Sequence, residues 1–582
     1  MTDIFKNKIF KNTFFFIILA EILSFLGYYY PPINSLGFFI IALLTVSAAL
    51  FKLESGLYIL LTELFIGSFG YLFYFDLNGT QISLRLALWL IIMSVWLAKI
   101  IVRTLKTKRL AIDFIKSGRF APFMVLLIFI GWGLVNGLIN GNSLSNIFFD
   151  FNNWLYFLLV FPVFMLLPSA TRATNAGHAN KHPAFLAQIQ EKPLAAVKPI
   201  FLAAITWLSL KTIFLAYIFT HNFHGLDLEI YGWMRADRLG EITQTAAGFS
   251  RIFMQSHIFI LIGFFILLIY LLTIIITSDR LFFVIPALKP KASRNPEISS
   301  TNIFTAHAWI AGQARNDSNR DFLLKTKMVK CIILLTLFLS AIIISFSRSF
   351  WLGLAAGGAF VWLIAIFKLK IEFKKFIIYN SIILLIIISS LILTAVTVKF
   401  PFPKAYGGFN PADLLSQRIT QITNEAGASS RWQLLTPLWQ KIKTAALMGR
   451  GFGAIVTYKT NDPRVLATNP DGLYTTYSFE WGWLDVWLKL GLFGLLAYLF
   501  LFIKIIRDGL KITPFNKGGR GDLMLSSSDP YLSLSLATGL IVLMAVNIFS
   551  PYINHPLGIG YIILAAAMME DIKIKKEDRE PL

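Results

Sequence analysis

Runs of about 18 or more apolar residues recur along this whole sequence, each long enough to cross a bilayer as a helix. A helix closes its own backbone hydrogen bonds, which an open strand in hydrocarbon does not. The runs fall near residues 13–30, 35–51, 56–74, 83–102, 120–139, 151–168, 199–219, 252–277, 331–346, 350–367, 376–398, 482–504, 531–549 and 555–569. The expected fold is therefore an all-α polytopic membrane protein of about 14 transmembrane helices, with one large external loop containing short helices. Composition excludes a string of soluble domains, since 56% of the 582 residues are hydrophobic and 14% are charged. Lys6, Lys8 and Lys11 precede the first run as in a signal peptide. No small-residue cleavage site follows Tyr28-Tyr29-Tyr30-Pro31-Pro32, so the run is read as a retained span.

A formal charge of +22 would suggest nucleic acid in a soluble chain. Here Lys and Arg gather in alternate short loops, where they set orientation, and no nucleic-acid partner is expected. Arg103 to Arg119, Lys368 to Lys375, Lys504 to Arg520 and Lys573 to Arg579 are the basic connections, read as cytoplasmic. Residues 171–198 and 286–320 are also placed inside; they are polar segments without apolar periodicity, read as tolerated inserts or as regulatory loops. The single cysteine, Cys331, lies in an apolar run, and the seven histidines show no ligand spacing. Neither a metal nor a cofactor is expected.

The remaining polarity collects outside. A loop from about His221 to Arg251 carries Arg235 and Arg238, read as candidate substrate contacts. A larger loop, 399–480, carries nine basic residues (Lys399, Lys404, Arg418, Arg431, Lys441, Lys443, Arg450, Lys459, Arg464) and five acidic ones (Asp413, Glu425, Asp462, Asp471, Glu480). Its excess of positive charge on the outer side points to an anionic ligand. Arg348 follows Ser345-Phe346-Ser347 at the end of one apolar run and precedes Gly353-x-x-x-Gly357, a spacing that lets helices approach closely. It reads as an interfacial residue or as a phosphate clamp, because a guanidinium matches phosphate oxygens bidentately. Arg431 follows Gly427-Ala-Ser-Ser430, and Trp432, Leu435, Leu438 and Trp439 recur at helical spacing. Ser430 is the expected cap, which puts Arg431 in the first turn. Gly449-Arg450-Gly451-Phe452-Gly453 offers backbone freedom for close approach to a ligand. Glu480 enters the next span with Trp483 and Trp487 behind it, either an acid beside an aromatic platform for a sugar or an interfacial belt. Asp485 and Lys489, four apart, read as a structural ion pair.

Ser-Phe-Ser-Arg348 before a Gly-rich helix, Arg431-Trp432, Gly449-x-Gly-x-Gly453 and Lys489-Leu-Gly-Leu-Phe-Gly494 together resemble the O-antigen ligase and O-antigen polymerase superfamily. The likeness covers roughly residues 331–505, which marks off 1–330 as an N-terminal bundle and 506–582 as a C-terminal hairpin with a basic tail. It implies a metal-independent membrane glycosyltransferase, using a polyprenyl-pyrophosphate-linked glycan outside the cytoplasmic membrane, with a glycan, lipid or protein acceptor. Arg348 and Arg431 would then bind the donor pyrophosphate, with Arg450 a further candidate. The family's ligases often carry a histidine where this chain has Glu480.

On this reading Glu480 is the general base, and His221, His224 and His555 are its alternatives on the outer side. No nucleophile with an activating neighbour is visible, so a single inverting displacement is expected. The competing class is a transporter or flippase of lipid-linked sugars, which would show polar residues within several spans and broken helices.

Overall fold

The computed structural model describes residues 6–108, 120–167, 194–221, 223, 225–244, 249–277, 324–406, 408, 426–512 and 529–577. The first half holds helices α1 (Lys8–Tyr29), α2 (Pro31–Phe51), α3 (Leu53–Ile66), α4 (Leu84–Thr107), α5 (Ala121–Ile139) and α6 (Leu144–Trp154), the last running through a 3-10 turn into α7 (Val160–Met165). Next come α8 (Val197–Ile218), α9 (Leu226–Ala236) and α10 (His257–Thr277). A tight pair follows, α11 (Leu324–Ser345) and α12 (Arg348–Leu363), and then α13 (Phe373–Lys399). The last third holds α14 (Ala426–Lys443), the short α15 (Pro463–Leu466), α16 (Gly482–Ile512), α17 (Asp529–Val546) and α18 (Pro556–Glu577).

Among the described residues eleven helices are long and apolar enough to cross a membrane. The other three expected spans are helical too, but differently proportioned. Near 56–74, α3 has 14 residues and ends at Gly67; α17 is a shorter apolar helix, and α18 runs on into the charged Lys573–Glu577 end. The helices are joined by three antiparallel hairpins among the described residues: β1 (Tyr74–Leu77) with β2 (Thr80–Ser83), β3 (Glu241–Gln244) with β4 (Ser250–Phe253), and β5 (Val456–Lys459) with β6 (Leu473–Thr476). Segments 171–193 and 286–320 lie outside the described residues, and by Val197 the chain is already in α8.

The centre of the bundle is α10 and α17. The apolar stretch of α10 is 89% buried, and α17 packs against α10, α12, α16 and α18. Helices close up where side chains are small. A Cβ on Gly353 of α12 would lie 2.7 Å from Val546 of α17, so the Gly353/Gly357 face is in backbone-close contact there. Within α17, Ser535 and Thr538 return their hydroxyls to the carbonyls of Tyr531 and Leu534, at 2.8 and 2.9 Å, which lets polar residues be buried without orphaned groups.

The bundle has two chemically distinct ends. At one, lysines cap helix C-termini: Lys99 Nζ donates to Ala49 O of α2 at 2.8 Å, Lys375 Nζ to Ile276 O of α10 at 2.9 Å, and Lys368 Nζ to Leu510 O of α16. The opposite ends of α10, α12 and α16, starting at His257, Arg348 and Gly482, converge on the site described next.

Candidate active site

The Ser-Phe-Ser-Arg run is the turn between α11 and α12. Phe346 takes φ 49°, a left-handed conformation that is costly for a bulky side chain, about 1–3 kcal/mol. It is held there by burial, with its ring 5.8 Å from that of Phe249. Arg251, from β4, donates its Nε to Ser345 O at 3.0 Å. Ser347 precedes α12, so Arg348 opens that helix, where the exposed backbone N–H groups and the helix dipole also favour an anion.

Helix α16 is broken at Gly491 (φ 74°, ψ 179°), which leaves helical backbone groups to be satisfied elsewhere. The stretch from Ala446 through the Gly449–Gly453 loop satisfies them. Arg450 N donates to Leu488 O at 2.6 Å, Gly451 N to Lys489 O at 3.2 Å, and Leu492 N to Ala446 O at 2.9 Å. The same loop lies on α5: Phe452 N donates to Gly133 O at 2.9 Å, and Asn136 Nδ2 to Gly449 O at 2.9 Å. Gly449, Gly451 and Gly453 all have φ 76°, and a Cβ on Gly451 would overlap the backbone of Gly137. The glycines serve contact between protein backbones, and the closeness expected for a ligand is spent on α5 and α16. Arg450 accordingly turns to Thr444 Oγ1 (Nη2 at 2.7 Å) and lies outside the cavity.

In the external loop, α14 is already helical at Ala426, so Ser430 lies within the helix and not at its cap. Its hydroxyl instead meets that of Tyr458 at 2.8 Å. The buried stripe is Leu434, Leu438 and Ile442, spaced i, i+4, i+8, while Trp432 and Trp439 are exposed. That stripe seats α14 on β5 and on the start of α16. Seating brings Arg431 to Glu480, and the two form an ion pair, Nε to Oε2, with Arg431 33% and Glu480 50% exposed. Trp481 locks the geometry by donating its Nε1 to Arg431 O at 2.8 Å. Burial, with Glu480 nearby, pushes the Tyr458 phenol above its ordinary value, so it stays a hydroxyl beside this pair.

Arg348, Arg431 and Glu480 line one polar cavity of about 600 Å³, together with Arg251, Glu241, Asp150, Asp485, Lys489 and His555. Lys489 Nζ lies 2.6 Å from both Asp150 Oδ1 and Asp485 Oδ1, all three buried, and Asn554 donates to Asp485. The 485–489 pair read from the sequence is thus one side of a triad on the cavity wall. Its cost in desolvation is offset by further hydrogen bonds, including Gly453 N to Asp150 Oδ2 at 3.0 Å. Asp150 and Arg251 were not singled out from the sequence. The signal for Asp150 was an acid at the very start of an apolar run; nothing local marked Arg251 among the loop charges.

Other candidate residues lie elsewhere. Arg238 stacks 4.4 Å from the Tyr71 ring, and Arg235 lies 6.0 Å over Tyr231. Trp483 donates to Met544 O at 3.1 Å and Trp487 to Ala446 O at 2.9 Å, so both indoles are spent on seating α16. The aromatics beside the pair are Trp432 and Trp481, 5.3 Å apart, and Phe549, 5.3 Å from Trp481. His221 has both ring nitrogens against carbonyls, Tyr217 O and Phe400 O at 2.7 Å each, and is a loop tie outside the cavity. His224 lies outside the described residues.

A second cavity, about 660 Å³ and almost wholly apolar, lies between α10, α11, α12 and α13, lined by residues such as Phe265, Leu339, Ile343, Leu354 and Ile387. Phe346 lines both cavities, so they meet at the strained turn. Among the described residues no group of three or more His, Cys, Asp or Glu side chains is arranged to hold a metal ion. Comparison of the chain with protein-family models, with curated proteins and with solved structures gives no match.

Proposed function

We propose that this multi-pass membrane protein is a glycosyltransferase of the O-antigen ligase or polymerase kind. It would transfer a glycan from a polyprenyl-pyrophosphate donor to an acceptor hydroxyl at the outer face of the cytoplasmic membrane. One observation carries the reading: an apolar cavity and a polar cavity walled by Arg251, Arg348 and Arg431 meet at Phe346. A ligand that fits both has a long apolar chain ending in an anion, and guanidinium groups suit a pyrophosphate. In the reaction, the acceptor oxygen forms a bond to the anomeric carbon as that carbon's bond to the pyrophosphate oxygen breaks. Polyprenyl pyrophosphate leaves, its charge stabilised by the arginines, and the hydroxyl proton passes to the Glu480 carboxylate. Because Glu480 is paired with Arg431 before substrate arrives, the phosphate replaces the carboxylate on Arg431 and frees Glu480 for that proton.

The test is binding by the purified protein of polyprenyl pyrophosphate and of the corresponding polyprenol. The pyrophosphate should bind tightly and the alcohol weakly, and Arg348→Ala should weaken the pyrophosphate alone by about 10-fold or more, the worth of a charge-assisted hydrogen bond. Equal binding of alcohol and pyrophosphate would overturn the reading. The break in α16 and the Lys489 triad favour a second reading, transport, since broken helices and intramembrane charges build transporter sites. Against it, the Leu488 and Lys489 carbonyls at the break are already bonded by the Gly449–Gly453 loop. Vesicles with purified protein, donor and acceptor separate the two: a new glycosidic linkage supports transfer, and donor movement without one supports transport.

A further inference from the structure

The cavity is not uniform. Arg251, Arg348 and Arg431 reach it from the β3–β4 hairpin, the α11–α12 turn and α14, whereas a second group of residues comes from α6, α16 and the α17–α18 connection. In that second group His555 N donates to Tyr552 O at 3.1 Å, and the Tyr552 hydroxyl donates to Gln255 O at 3.0 Å. The Phe69 ring meets the His555 ring edge-on, with centroids 5.8 Å apart. Asn153 lies one helical turn beyond Asp150, whose partner Lys489 leads through Asp485 to Asn554, next to His555.

What distinguishes His555 and Asn153 within this group is spare hydrogen-bonding capacity without charge. His555 stands before α18 and its Nδ1 accepts from Leu557 N at 3.3 Å, as an N-cap does. A nitrogen that accepts carries no proton, so the ring is uncharged and its proton sits on Nε2. That N–H has no protein partner among the described residues, and His555 lines the cavity. The side-chain amide of Asn153 also lines the cavity and makes no hydrogen bond within the described protein. Uncharged donors and acceptors beside an aromatic ring suit hydroxyls, while guanidinium groups suit the phosphate.

We propose that Asn153, His555 and Phe69 form a sugar subsite of the donor, in which His555 donates its Nε2–H to an oxygen of the first sugar. This rests on the polyprenyl-pyrophosphate reading above. It also makes His555 a hydrogen-bond donor, not a reserve base for Glu480.

Two substitutions separate the ring's two nitrogens. In His555→Asn the amide oxygen can replace Nδ1 as the cap of α18, but the distal donor is lost; in His555→Gln the amide nitrogen reaches towards the place of Nε2. The probes are polyprenyl pyrophosphate and a panel of the same lipid carrying one hexose or N-acetylhexosamine, titrated against purified protein with thermal stability checked. Wild type should bind at least one sugar-bearing lipid more tightly than the bare one. His555→Asn should lose that preference by about 3- to 10-fold, the worth of one uncharged hydrogen bond, and keep its affinity for the bare lipid. His555→Gln should retain part of it, and Asn153→Ala should reduce it. Retained preference in His555→Asn, or equal loss in both His555 variants at normal stability, would overturn the subsite. Wild type binding bare and sugar-bearing lipids equally would overturn it while leaving the donor reading intact, and binding neither would overturn both.

Discussion

At the scale of single residues, the pairing of Glu480 with Arg431 sets the sharpest expectation. Glu480→Gln keeps size and much of the hydrogen bonding to Arg431 but removes the proton acceptor. Turnover in a transfer assay should fall roughly 10²–10⁴-fold, the usual span for a general base, with donor affinity unchanged or improved. Arg431→Lys keeps charge and loses the planar fork, so it should impair donor binding less than Arg431→Ala does. Near wild-type turnover in Glu480→Gln would remove Glu480 from the chemistry. A second residue gives a pH test. Asp237 ends α9 fully buried, with Ser24 Oγ donating to its Oδ2 at 2.8 Å. Burial pushes its carboxyl up to about 7, against the pull of Ser24, Trp233 and Lys211. The folded state therefore holds this proton more tightly than the unfolded chain does. The stability it confers is complete below the ordinary carboxylate range and is lost as pH rises to about 7. Asp237→Asn cannot ionise, so in detergent it should gain thermal stability relative to wild type at pH 8 and not at pH 4; an equal difference at both would contradict the assignment.

At the scale of elements, the helices were legible and their junctions were not. Apolar runs long enough to span announce themselves, and the turn at Ser345–Arg348 was visible as the polar end of one run. Short strands such as Glu241–Gln244 were lost among loop residues, because four residues carry too little alternation to register. Arg348 and Glu480 stood out as charges at the edges of apolar segments and Arg431 as a basic residue opening an amphipathic stretch of the external loop, and the structure brings all three to one cavity. Arg251 and Asn153 could not be placed there, since their roles depend on hairpin and helix packing from distant parts of the chain. The Gly449–Gly453 loop was conspicuous for the right composition, but its partner, the break at Gly491, is a tertiary fact. That junction makes its own prediction. Gly491→Ala and Gly451→Ala each force a Cβ onto a positive-φ residue whose space is filled by backbone, at Leu447 O and Gly137 N respectively. Each should cost at least the roughly 1–3 kcal/mol of such a backbone conformation. Gly131→Ala, on the open side of α5, meets nothing within 4 Å and should be neutral or slightly stabilising. Thermal unfolding in detergent orders the three, and a neutral Gly451→Ala would contradict the packed junction.

At the scale of the whole molecule, the bundle has a direction. Lys99, Lys368 and Lys375 cap the C-terminal ends of α2, α16 and α10, and the N-terminal ends of α10, α12 and α16 carry the cavity. Cations at helix C-termini are favoured by the backbone dipole, and short basic loops remain on the cytoplasmic side during insertion. Both effects act on the same lysines, so the end they mark should be inside and the cavity outside, where a glycan donor would be displayed. Cysteine substitution tests this with little background, because the native Cys331 is buried. Gln440→Cys lies on the exposed face of α14, the helix that carries Arg431, and Lys370→Cys is exposed at the lysine-capped end. On intact cells an impermeant thiol reagent should modify Cys at 440 and spare Cys at 370, with both modified after the membrane is opened. Labelling at 370 alone would put Arg348, Arg431 and Glu480 in the cytoplasm. It would end the outer-face glycosyl-transfer reading while leaving the cavity and its lipid-like geometry to be explained by a cytoplasmic donor.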